Sequence, residues 1–137
     1  MSGVKVPQNA TFVSIYGDNI QNNGGPTEKT VSPGVLIVSY QVPPGMELWV
    51  KAVSLIPNPN AQSYGVGFIS YGDATLGPTD GIILSQAVQD IWDYELVIRQ
   101  GQFLKIGIYS TNPSQAVGGS ASFNGALLPA GTKASLR

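Results

Sequence analysis

The stretch Val35-Leu36-Ile37-Val38-Ser39-Tyr40-Gln41-Val42-Pro43-Pro44-Gly45-Met46-Glu47-Leu48-Trp49-Val50-Lys51-Ala52-Val53-Ser54-Leu55-Ile56 decides the fold class. In its first part Leu36, Val38, Tyr40 and Val42 fall on one face at a period of two, the spacing of a strand. Pro43-Pro44-Gly45 then stops the strand, because proline fixes φ and glycine releases it. Alternation resumes at Glu47, with Leu48, Val50, Ala52 and Ile56 on one side and Trp49, Lys51, Val53 and Leu55 on the other. Two such strands around a tight turn read as an antiparallel hairpin. Pro57-Asn58-Pro59-Asn60 ends it, since proline cannot donate to a central ladder.

Working outward, the same period recurs. Residues 11–16 are β-branched and aromatic and close at Gly17-Asp18. Shorter strands are expected at 65–71 and 81–85, with a turn-rich loop between them. Residues 94–99 and 103–110 read as a second hairpin, with Leu96 and Ile98 facing Leu104, Ile106 and Ile108 across Gln100-Gly101-Gln102. The last strand is 120–128, with Ala121, Phe123 and Leu127 on one face. Residues 86–93 are ambiguous: Ala87/Ile91 and Val88/Trp92 have the i,i+4 spacing of one or two helical turns. Eight short strands with close turn signals predict an all-β fold, a two-sheet antiparallel sandwich of the jelly-roll type. Crossover helices are missing, which excludes a doubly wound α/β sheet.

The 137 residues fit one domain, 1–137, with a core large enough to need no staples. An N-terminal arm (1–10), a long polar loop (17–34, with Asn22, Asn23 and Gly24-Gly25-Pro26) and a short C-terminal tail (129–137) are expected to lie outside that core. Charged residues make up 11% of the chain against about 25% in an average domain, which favours a surface covered by partners or by copies of itself. Seven basic and eight acidic residues leave no basic footprint for nucleic acid. The start, Met1-Ser2-Gly3-Val4-Lys5-Val6-Pro7, lacks a signal-peptide core. The aliphatic run Val35-Leu36-Ile37-Val38 is far too short for a membrane helix of about 20 residues. No membrane association is expected.

Histidine and cysteine are both absent. That removes the commonest general base, the thiol nucleophile and the usual zinc ligands, so no enzyme is expected and no cofactor. A carboxylate pair remains open to glycosidase chemistry, but Asp90, Asp93 and Glu95 read as solvated loop charges. Asp73 and Asp80 flank one loop without the spacing of a calcium site; Gly72-Asp73 and Asp80-Gly81 are turn dipeptides, and no metal is expected there. Gly65-Val66-Gly67 reads as close backbone packing in a strand. The candidate interface residues are Trp49, Trp92, Tyr94, Asn22 and Asn23. Trp49 shares a face with Lys51, while Trp92 and Tyr94 stand among acids. Such aromatics read first as core packing, next as anchors of a protein interface and last as a platform for a sugar ring.

Taken together, Gln41-Val42-Pro43-Pro44-Gly45 running into an aliphatic strand, Val97-Ile98-Arg99-Gln100-Gly101-Gln102-Phe103-Leu104-Lys105-Ile106, and 119–128 running into a short tail resemble the small jelly-roll decoration (cement) proteins of tailed-bacteriophage heads. The resemblance spans 35–128 and lies in layout. It implies a non-enzymatic virion protein, made in the host cytoplasm, that sits on the outer capsid surface, binds the major capsid protein between capsomers and stabilises the shell. It also implies a homo-oligomer, a trimer before a dimer. The reading from another class is a receptor- or carbohydrate-binding knob of a phage fibre or spike, although such knobs follow long shaft repeats.

Overall fold

A computed structural model of the chain describes residues 5–19, 34–57, 64–72, 81–85, 88–110 and 117–136. Among them are eight strands: β1 (Thr11–Asn19), β2 (Gly34–Gln41), β3 (Met46–Pro57), β4 (Gly65–Gly72), β5 (Gly81–Ser85), β6 (Val88–Ile98), β7 (Phe103–Ser110) and β8 (Gly119–Pro129). One helical turn follows, α1 (Thr132–Ser135). The expectation of an all-β chain in two antiparallel sheets holds. Sheet 1 has the order β1-β8-β3-β6 and sheet 2 the order β2-β7-β4-β5. Every connection except β4–β5 therefore passes from one sheet to the other.

That topology corrects both expected hairpins. β2 and β3 lie in different sheets, as do β6 and β7, so Pro43-Pro44-Gly45 and Gln100-Gly101-Gln102 turn corners between sheets. β2 pairs instead with β7, Tyr40 opposite Leu104, and the ladder runs on into both corners: Val42 N–H donates to Gln102 O at 2.9 Å and Gly101 N–H to Val42 O at 2.9 Å. Gly101, at φ 78°, adopts the left-handed backbone that such a tight turn requires.

The core lies between the sheets. Leu48, Val50, Val53, Leu55 and Phe123 from sheet 1 meet Val38, Ile69, Leu104, Ile106 and Ile108 from sheet 2, all buried. The Phe123 and Tyr40 rings cross the gap edge to face, 5.3 Å between centroids. The inward set on β3 differs from simple alternation. A bulge between Val50 and Ala52 shifts the register against both β6 and β8. Even-numbered residues face the core before it and odd-numbered ones after it, so Val53 and Leu55 are buried while Ile56 is exposed. On β8, Gly125 is forced: a Cβ there would overlap the Trp49 carbonyl of β3.

β6 carries the larger irregularity. Leu96 pairs with Val50 and Ile91 with Ala52, so Trp92, Asp93, Tyr94 and Glu95 stand opposite Lys51 alone. Asp93 (φ 51°) and Tyr94 (φ 71°) turn the chain through left-handed conformations that non-glycine residues seldom adopt. Around this excursion Trp92 packs on the core between the sheets, while Tyr94 reaches the outer face of sheet 1. Residues 88–93 thus continue a strand, and the helical alternative is overturned for them. A spacing of four keeps parity in a strand as well as in a helix, so it could not discriminate. Residues 86 and 87 lie outside the described residues.

Candidate functional site

Glu47 and Trp49 are two residues apart at the start of β3, so a strand presents both side chains on one face, here the outer face of sheet 1. Both are buried, Trp49 completely. The Trp49 indole N–H donates to Glu47 Oε2 at 2.8 Å. The same carboxylate accepts Gly131 N–H (2.7 Å, Oε1) and Lys133 N–H (2.8 Å, Oε2), from the segment after β8. Three donors converge on one ionised acceptor, the strong class of hydrogen bond. Lys133 lays its ammonium over the Trp49 ring, 4.2 Å from the centroid, and donates to Tyr94 O at 2.7 Å. Val6 and Ala10 of the N-terminal arm, with Tyr94 and Val97, complete a second apolar cluster around Trp49, Ala126 and Leu128.

Of the segments expected outside the core, Val6 and Ala10 from 5–10 and Gly131 and Lys133 from 129–136 contact the outer face of sheet 1, while most of their other residues are exposed. Residues 17–19, expected in the polar loop, extend β1 to Asn19.

Beside the cluster lies a groove of about 860 Å³. One wall is the β6–β7 corner, with Val97, Arg99, Gln100 and Gln102. The other is the segment after β8, with Ala130, Gly131, Lys133 and Ala134. The corners are stitched together around it: Gly45 N–H donates to Gln100 Oε1 at 2.6 Å, Arg99 N–H to Gln102 Oε1 at 3.0 Å, and Ala130 N–H to Gly45 O at 2.9 Å.

The rest of the outer face of sheet 1 is different. Register aligns Ser14, Asn124, Ala52 and Ile91 in one row, and Tyr16, Ser122, Ser54 and Gln89 in the next. Asp18, Ser120 and Ile56 follow, and Asp18 is the one charged residue in these rows. The middle is small and polar, with a shallow hollow of about 120 Å³ among Ser14, Ser54, Ser122 and Asn124. Large apolar side chains are exposed around it: Tyr16 67%, Ile56 59% and Ile91 64% within these rows, and Phe12 65% in the adjoining row, opposite Ala126.

Of the expected interface residues, Trp49 is corrected. It has no exposed surface, because Val6, Ala10, Tyr94 and Val97 pack around it and the Lys133 side chain covers its ring, while Lys51 on the same face stays exposed over Tyr94. Trp92 and Tyr94 are half-buried on opposite faces of sheet 1 and do not form one patch. Asn22 and Asn23 lie outside the described residues, as do Asp73 and Asp80. Asp90 is placed in β6 opposite Val53, and Asp93 and Glu95 fall in the excursion. Sequence reasoning passed over Phe12, Tyr16, Ile56 and Ile91, and with them Arg99. A signal existed at β1, where Phe12 and Tyr16 alternate with Val13 and Ile15. With both faces apolar, the pattern could not say which faced water. Comparison of the chain with protein-family models, curated proteins and solved structures finds no match.

Proposed function

We propose that the chain is a virion structural protein that decorates a bacteriophage capsid and stabilises it by binding between capsomers. The observation that carries this reading is the bare part of the outer face of sheet 1. Its rows carry one charged residue, Asp18, their middle is polar with a shallow hollow, and exposed large apolar side chains stand around them, features suited to contact with another protein surface. The strand orders β1-β8-β3-β6 and β2-β7-β4-β5 support an eight-stranded jelly roll, an architecture used by many virion proteins. The partner is the major capsid protein, and copies of the chain associate with one another, a trimer before a dimer. No catalysis enters this reading. Repeated contacts across a symmetric shell give avidity, so each can be modest. For the alternative of a sugar-binding knob, Trp49 offers no platform, since its ring is covered, which leaves the half-buried Trp92.

Binding the assembled lattice and not its free subunits stabilises the lattice by mass action. The test is to add purified protein to undecorated capsids and to measure occupancy and the temperature of genome release. Occupied sites and a raised release temperature are expected. Nil occupancy, or decorated shells no more durable than bare ones, defeats the reading.

A further inference from the structure

The groove beside the Trp49 cluster has an unbalanced chemistry. Glu47 is the one acid in its lining, and that carboxylate already accepts three N–H donors. Gln100 and Gln102 each turn the amide oxygen toward a main-chain N–H, at 2.6 and 3.0 Å. A primary amide held by its oxygen directs its NH2 group away from that contact, so both present donors on the corner that forms the groove wall. Arg99, exposed on the same wall, adds a guanidinium with five N–H donors and no acceptor. Opposite stand Ala130, Gly131 and Ala134, small enough to leave room for an extended chain. The groove therefore offers donors and positive charge beside an apolar side chain at Val97, and its one acid among the described residues already accepts three hydrogen bonds.

We propose that this groove binds an acidic peptide segment of a partner protein, a side-chain carboxylate pairing with Arg99 and peptide carbonyls accepting from Gln100 and Gln102. Carboxylates and guanidinium groups match in a planar, two-bond geometry, which makes arginine the selective element. A sugar is disfavoured, because the indole nearest the groove, Trp49, has no exposed face on which a ring could stack. The site is independent of the capsid reading, since it lies at the covered end of sheet 1 and uses none of the exposed margin residues.

The probe is a tetraglutamate peptide, acetylated and amidated at its ends, titrated calorimetrically against the intact protein beside tetraglutamine and trigalacturonate. Tetraglutamate is expected to bind about tenfold or more tighter than tetraglutamine, with an affinity that falls as salt is raised. Arg99→Gln should remove most of that preference, and Arg99→Lys should restore part of it. Because the Arg99 side chain is exposed, both variants should melt with the wild type, which separates lost binding from lost fold. No binding, equal binding of the two peptides, a preference for trigalacturonate, or full affinity in Arg99→Gln each overturns the proposal.

Discussion

The outer face of sheet 1 has two halves built on the same four strands, and they end in opposite states. In one half Trp49, Ala126 and Leu128 are sealed by the N-terminal arm, the β6 excursion and the α1 turn. In the other half Ser14, Ser54, Ser122 and Asn124 meet solvent in an open hollow, and only the margins are apolar. The difference teaches what each kind of side chain demands. A large aromatic on a sheet face must be covered, and the chain uses both of its flanking segments to do so. Small hydroxyl and amide side chains can stay in water. Large apolar side chains stand exposed around that polar middle, and the proposed capsid contact rests on them.

The widest separation between the halves should appear at Trp49. Trp49→Ala leaves a cavity under the arm and tail and is expected to cost about 3–5 kcal/mol in a denaturant titration. A cost below about 1 kcal/mol would mean that the two halves do not differ in burial. Glu47→Gln comes next. It replaces an ionised acceptor of three N–H donors with a neutral amide, at about 1–3 kcal/mol. Its signature should be faster proteolytic trimming after Pro129 while the β spectrum persists. On the bare half, Tyr16→Thr and Ile91→Thr should each shift stability by no more than about 0.5 kcal/mol. The same changes should lower occupancy on capsids. If they leave attachment intact, the apolar margins are not the contact surface.

The smallest effect concerns the interior beneath the bare half, where Tyr40 packs on Phe123. Burial raises the Tyr40 phenol above its usual value of 10.0. The folded state thus favours the neutral phenol. Its contribution to stability is complete below pH 10.0 and is lost as pH rises through the raised folded value. Stability measured on either side of pH 10.0 should fall less in Tyr40→Phe than in the wild type. An identical alkaline fall in both would show that Tyr40 does not report on this interior.

The strands themselves are legible in the sequence, from period-two alternation at 35–42 and 103–110 and from β-branched and aromatic residues bounded by turn signals at 11–16 and 65–71. Their partners are not. A Pro-Gly or Gln-Gly turn reverses the chain equally well within a sheet and between two sheets, so Pro43-Pro44-Gly45 and Gln100-Gly101-Gln102 both resembled hairpin loops. The arbiter is long-range pairing, Tyr40 with Leu104 and Trp49 with Ala126, which no local pattern encodes. The bulge beside Lys51 hid the inward set of β3 for a related reason. An unpaired residue inverts parity without changing composition. Trp49 was singled out and then misplaced, because the Glu47 carboxylate and Lys133 ammonium that bury it join segments far apart in sequence.

The position of β8 governs the order in which this protein can come into being. All nine residues of β1 take their sheet neighbours from β8, with Thr11 opposite Leu127. On the other side β8 also carries β3, from Met46 opposite Pro129 to Pro57 opposite Gly119. A nascent chain emerging from the ribosome has made β1, β3 and β6 long before the strand that unites the first two exists. Sheet 2 needs no strand later than β7, since β2, β4, β5 and β7 all precede β8 in the chain. Sheet 1 thus depends on a strand late in the chain pairing between two much earlier ones, nonlocal contacts of the kind that make β-sandwiches slow folders.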